Sequence, residues 1–270
     1  MWTICGLGAV GKTVAGAFQK RKIPFNVIGK HKPFNFTTRN EEFLVHPEEN
    51  LGQIDKLLVC TKAFSVSQVL REHKAECYVL VNNGLLKLRD ELSLPDNVFG
   101  VVNSNGSLLT GDTVWHTPGK FLIGKLRNAN ENDVEDLCKL RMLGASYCEK
   151  GFEEALWLKL CVNTVICSLT SIHRCRNGDL FKYENEIKEI AHELYQATNL
   201  DSTRIIEAVQ SVYDSTYSNK SSMLVDIEHR RRTEIDYFTG YVLKVGREKN
   251  LALKKMTEIH EKIRQILEDE

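Results

Sequence analysis

A short apolar run, Trp2 to Cys5, leads directly into Gly6, Gly8 and Gly11, and this stretch constrains the fold of the 270-residue chain more than any other. The spacing dictates a strand that turns at once into a helix. Gly6 permits the tight turn, Gly8 lets backbone approach a pyrophosphate, and Gly11 lets the helix pack closely on its strand, as in a dinucleotide-binding βαβ unit. Phosphates would lie against the free N–H groups and positive dipole end of that helix. The same residues also read G-x-x-x-x-G-K-T from Gly6 to Thr13, the phosphate loop of nucleoside triphosphatases, with Lys12 and Thr13 as candidate phosphate and magnesium ligands. A plain structural turn is the third reading.

The following segments bear on that choice. Val14, Ala17 and Phe18 fall at helical spacing, Pro24 ends the helix, and a second strand is expected over Phe25 to Ile28. Lys30, His31 and Lys32 follow it. An NAD site usually carries an acid at this point for the ribose 2′-hydroxyl, whereas a 2′-phosphate calls for cations. Lys30, 19 residues after Gly11, therefore reads either as a solvated basic turn or as a sign of NADP preference. A polar, strand-poor stretch (Asn35 to Gln53) precedes an apolar strand ending at Cys60, which sets Lys62 just beyond a carboxyl end, where open α/β sheets bind ligands. A helix (Val66 to Lys74) and a strand (Tyr78 to Val81) bring Asn83 to the same rim. A triphosphatase needs an aspartate at such a strand end to hold magnesium. The strands here end in Cys60-Thr61-Lys62 and Val81-Asn82-Asn83, which argues against that reading. Runs at Asp112 to Trp115 and Lys120 to Ile123, flanking His116 to Gly119, read as a hairpin closing the sheet edge. A helix (Val134 to Leu143) and a strand (Ala145 to Cys148) complete a first domain, residues 1–150.

Composition limits the function classes. The chain has 36 basic and 36 acidic residues, so no global field recruits nucleic acid or an anionic membrane. No apolar stretch looks long enough to span a bilayer, and the run before Gly6 is too short for a signal-peptide core, so a cytoplasmic protein is expected. Eight cysteines form no C-x-x-C and read as buried thiols, and the eight histidines lack ligand spacing, so no metal site is expected.

After Gly151 the alternation of strands and helices gives way to helices alone, a second domain over 151–270. Its first helix, from Phe152, is apolar on nearly every side from Ala155 onward, yet carries Lys159 and Asn163 one turn apart on one face. A desolvated lysine is costly unless partnered or at work, and desolvation makes its ammonium a better proton donor near neutrality. A lysine snorkelling from a core helix is the alternative. A turn follows at Arg174 to Gly178, then amphipathic helices (Leu180 to Ala197 and Ser202 to Tyr213). A long helix is expected from Ser221, with Arg230 to Arg232 as a charged helix face rather than a nucleic-acid patch. The last helix, Leu253 to Leu267, reads as structural packing or as a homodimer surface.

Together, Asn83-Gly84, Lys159-x-x-x-Asn163, Asn177-Gly178, Ser221-Ser-Met-Leu-x-Asp226 and Thr233-Glu-Ile-Asp236 resemble the ketopantoate reductase (2-dehydropantoate 2-reductase) family over nearly the whole chain. The resemblance implies a Rossmann-type α/β domain followed by an all-α domain, with the substrate in a cleft between them, and NADPH-dependent reduction of ketopantoate in pantothenate biosynthesis. It implies that Gly6, Leu7, Gly8, Ala9, Val10 and Gly11 hold the NADP(H) pyrophosphate, that Lys30 meets the 2′-phosphate, and that Lys62, Asn83, Ser107 and Glu234 contact the cofactor. By the same resemblance Lys159 is the proton donor, and Asn83, Lys159, Asn163, Asn177 and Ser222 hold the 2-oxo acid. One departure stands out: the family commonly has a second asparagine a turn beyond Asn163, where this chain has Cys167, a much weaker hydrogen-bonding group. A related reductase of another branched 2-oxo acid and a non-catalytic NADP-binding regulator are the alternatives.

Overall fold

In the computed structural model, which describes residues 1–48 and 52–269, the apolar run Trp2–Cys5 is strand β1 and the segment after the glycines is helix α1 (Ala9–Lys20). The chain divides into two units, Met1–Phe152 and Glu153–Glu270. In the first unit, β2 (Phe25–Val27) pairs parallel with one side of β1. Two further strands, β3 (Phe34–Thr37) and β4 (Glu42–Val45), occupy the stretch expected to be strand-poor. Residues 49–51 of that stretch lie outside the described residues. The signal for β3 was an alternation: Phe34 and Phe36 are buried, and the Phe36 ring packs where a Cβ on Gly16 of α1 would stand, 2.4 Å away.

Beyond this come β5 (Ile54–Val59), α2 (Val66–Glu72), β6 (Ala75–Leu80), α3 (Leu85–Glu91) and β7 (Val98–Asn103). β2, β1, β5, β6 and β7 all run parallel, and β1 sits between β5 and β2. Near-continuous burial of Leu57 to Val59 and Cys77 to Val81 is what a parallel sheet covered on both faces requires. The expected hairpin around His116 does not form. β8 (Gly106–Thr110) and β9 (Thr113–Thr117) pair antiparallel in a separate four-stranded sheet of order β4-β3-β9-β8, while β10 (Phe121–Lys125) joins β7 antiparallel in the seven-stranded sheet. Alternating burial decides it: Val114 and His116 face inward and Trp115 outward. The expected helix Val134 to Leu143 breaks into 3₁₀ turns around a short α4 (Glu135–Cys138), and β11 (Ala145–Tyr147) closes the sheet.

The second unit is all-helical: α5 (Phe152–His173), α6 (Glu184–Thr198), α7 (Ser202–Ser215), α8 (Ser222–Glu228), α9 (Thr239–Glu248) and α10 (Lys254–Asp269). α5 is long and apolar enough to cross a bilayer by length and composition, contrary to expectation, but 67% of its most apolar window is buried inside the protein. The long helix expected from Ser221 ends at Glu228. His229 caps it, Arg230 takes the left-handed conformation at φ 52°, and the Arg230 and Arg231 N–H groups bond back to the Ile227 and Asp226 carbonyls. This is a Schellman ending, so Arg230 to Arg232 lie in a non-helical segment and not on a helix face.

Candidate functional site

A first group of candidate residues follows from the parallel sheet. β2, β1, β5 and β6 end nearly abreast, so the glycine loop, Lys30, Lys62 and Asn83 all follow carboxyl ends at one edge. The three glycines serve different needs. Gly6 has φ 94°, closed to most side chains, and a Cβ on Gly11 would stand 2.0 Å from the Gly6 carbonyl oxygen. Gly8 differs: nothing lies within 4 Å of its Cβ position, and it caps α1 without a side-chain hydrogen bond or an acidic residue in the first turn. Exposed backbone next to unsatisfied helix N–H groups is a cradle that fits a pyrophosphate. Leu7 turns its side chain into the core, so only its backbone is available, while Ala9 and Val10 are half-buried.

The triphosphatase alternative finds no support here. Thr13 is buried, donates its hydroxyl to the Ala9 carbonyl (2.9 Å) and lies within hydrogen-bond distance of the Ser107 hydroxyl (2.9 Å), and Lys12 Nζ lies over the Phe34 ring, 4.8 Å from its centroid. Neither side chain is presented to a nucleotide. Ser107, on β8, is thereby fixed beside the start of α1. Lys30 is exposed, and Lys62 and Asn83 are half-buried. Sequence reasoning missed Asn82, which is 5% exposed and donates from Nδ2 to the Thr61 carbonyl at 2.6 Å, tying together the two loops that carry Lys62 and Asn83. Its adjacency to Asn83 at the strand end was the available signal.

A second group, within the helical unit, is built on α5. Lys159, Asn163 and Cys167 follow one another at successive turns of one helical face. Lys159 keeps partial solvent contact along its length, yet the surroundings of its ammonium cost enough hydration to push its pKa below the ordinary 10.5, with the nearby Cys167 opposing the shift. Cys167 is buried, and burial pushes its thiol up to about 11; Lys159, the Met223 backbone, the Ser222 side chain and Glu234 are the groups around it. Lys159, Cys167, Ser222 and Glu234 therefore share one locality. Glu234 is 4% exposed, at the end of the irregular segment after α8. The α8 start is fixed by Ser221, whose Oγ accepts from the Leu224 N–H (3.2 Å) and from Thr170 Oγ1 of α5 (2.7 Å). Asn177 donates from Nδ2 to Thr216 Oγ1 at 2.9 Å and from its N–H to the Asn219 carbonyl, while its buried Oδ1 has no partner among the described residues.

Comparison with known proteins adds an independent line. Residues 151–267 match the family model described as ketopantoate reductase PanE/ApbA C terminal. A 2-dehydropantoate 2-reductase of Yersinia pestis is 30% identical over 238 residues, 83% of this chain and 78% of that protein. Among solved structures, a dimeric ketopantoate reductase from Staphylococcus aureus superposes with TM-score 0.84 at 21% identity, covering 99% of each chain. A D-mandelate dehydrogenase bound to NADH and anilino(oxo)acetate superposes with TM-score 0.86 at 19% identity, covering 100% of this chain and 99% of the other. At these identities the two structures speak for the fold alone.

Proposed function

The chain belongs to the ketopantoate reductase (2-dehydropantoate 2-reductase) family, and from that premise we propose that it reduces ketopantoate to pantoate with NADPH, a step of pantothenate biosynthesis in the cytoplasm. Under this reading the first unit is the NADP-binding domain and the second supplies substrate contacts and the proton. Bound nicotinamide would supply the hydride; the protein supplies position, charge and a proton. Gly6 to Gly11 would hold the pyrophosphate and Lys30 the 2′-phosphate. Lys62, Asn83, Ser107 and Glu234 would orient the remainder. Asn83, Asn163, Asn177 and Ser222 would bind the 2-oxo acid, and Lys159 Nζ would protonate the carbonyl oxygen as hydride reaches the carbon. The reading requires the nicotinamide carried by the first unit to meet the Lys159 amine.

The observation that carries the proposal is the state of Lys159, an ammonium whose pKa burial lowers, beside the Cys167 thiol, which burial keeps neutral. A lysine merely snorkelling to water would keep its hydration and its ordinary pKa. The test is loss of reduced-nicotinamide absorbance on mixing the protein with NADPH and ketopantoate, repeated with Lys12→Ala. Turnover that Lys12→Ala leaves intact supports the reductase. Magnesium-dependent nucleotide hydrolysis abolished by Lys12→Ala would support the phosphate-loop alternative instead.

Cys167 favours a second reading, reduction of another branched 2-oxo acid. Its thiol occupies the position next to Lys159 and Ser222 where a stronger hydrogen-bonding group would grip a polar substrate.

A further inference from the structure

The non-helical segment after α8 lines a cavity of about 380 Å³ together with one face of α10, which is within the ~300–1,000 Å³ range of small-molecule sites. Four arginines line it: Arg230, Arg231, Arg232 and Arg264. Carboxylates brace Arg231 and Arg264. Arg231 Nε donates to Oδ1 of the buried Asp226 at 3.1 Å, and Arg264 Nη2 donates to Asp236 Oδ1 at 2.6 Å. The lining carries four arginines and a single carboxylate, Asp236, a local surplus of positive charge in a chain whose formal net charge is zero. Arg230 forms no ion pair among the described residues.

The backbone supplies a second, independent observation. Arg230 stands at the position after the α8 cap in the left-handed conformation, φ 52°, with both Schellman hydrogen bonds formed. Glycine fills that position without steric penalty, whereas an arginine there costs conformational energy. The cost is incurred where the side chain lines a cavity already crowded with like charge. The same conformation occurs at Lys22 and Arg174 after other helices, and of the three only Arg230 lines this cavity.

We propose that this cavity binds a metabolite-sized polyanion carrying adjacent phosphoryl groups, gripped by the guanidinium forks of Arg230, Arg231, Arg232 and Arg264. Guanidinium forks match phosphoryl oxygens bidentately, and bracing by Asp226 and Asp236 lowers the ordering needed on binding. The lining includes no residue of the Gly6 to Gly11 loop, and the inference stands whether or not the chain reduces ketopantoate, because its test reads binding rather than turnover.

The test titrates the full-length protein with sodium tripolyphosphate at constant ionic strength, following heat of binding and Tm, with citrate as a multivalent control. Arg230→Gly removes the charge and relieves the strained backbone, so its Tm without ligand should equal the parent's or exceed it by about 2 °C. Saturable tripolyphosphate binding is expected, weakened at least about tenfold by Arg230→Gly, lost in Arg230→Gly/Arg264→Ala, and retained in Lys30→Ala. Three outcomes would overturn the proposal. These are binding lost in Lys30→Ala but kept in Arg230→Gly, which would put the anion on the cofactor loop; citrate binding at least as tightly as tripolyphosphate; and no saturable binding at all.

Discussion

The general-acid role proposed for Lys159 rests on position rather than on residue type. Twenty-seven per cent of the chain is charged, and what distinguishes this lysine is an ammonium that burial pushes below its ordinary pKa of 10.5, next to Cys167. A general acid must be protonated to act, so kcat should fall as pH rises through the lowered pKa, with the alkaline limb below 10.5. A pH–rate profile that stays flat to that value would detach Lys159 from the proton. The neighbouring thiol makes a separate prediction. Its own pKa of about 11 keeps Cys167 neutral where the lysine works. Cys167→Asn adds a donor and an acceptor beside Ser222, and the ratio of kcat/KM between ketopantoate and a less polar 2-oxo acid should shift by roughly ten- to a hundredfold. An unchanged ratio would remove Cys167 from the pocket. The spacing of Lys159, Asn163 and Cys167 on one face could be read directly from helical periodicity. The grouping of Cys167 with Ser222, Met223 and Glu234 could not, since it depends on where α8 ends.

The glycine loop shows how elements divide the work, and it gives a pair of substitutions that should behave oppositely. Gly8→Ala adds a Cβ that meets nothing within 4 Å, so stability should change by no more than about 0.5 kcal/mol while the Kd for NADPH rises. Gly11→Ala drives a Cβ to 2.0 Å from the Gly6 carbonyl oxygen, which should cost about 1–3 kcal/mol or more in overpacking. Urea denaturation and cofactor titration of the two variants check both, and equal effects on stability would contradict the assignment of Gly8 to ligand approach. Periodicity and turn residues exposed β1, α1, β5 and β6, because buried parallel strands and a glycine turn leave local traces. The four-stranded sheet left weaker ones. Its members come from Phe34–Thr37, Glu42–Val45, Gly106–Thr110 and Thr113–Thr117, so no single stretch reveals the pairing of β3 with β9. The break after Glu228 was hidden for a different reason: the helix stops on an arginine in a left-handed conformation, where the expected stop signal is glycine.

At the scale of the whole molecule, two histidines contribute to acid sensitivity. His116 is buried, stacked on Phe36 and paired through Nε2 with Asn105 Oδ1 at 3.0 Å, and burial lowers its pKa below the ordinary 6.5. His260, beside Thr239, is lowered by burial and by Arg264. The unfolded chain takes up these protons at higher pH than the native one. Their contribution to stability is therefore complete above about 6.5 and declines as pH falls from there toward the native values. His116→Gln should flatten that decline in a Tm-against-pH series; an unaltered slope would assign it to other groups. The two units make separable contributions in this account, a phosphate cradle in one and a proton donor in the other. Transient NADPH oxidation with ketopantoate by Lys159→Ala, after its NADPH affinity is shown to match the parent's, probes the joint claim most directly. The account predicts a hydride-transfer rate lower by roughly 10²–10⁴-fold. A rate equal to the parent's at matched cofactor occupancy would contradict it.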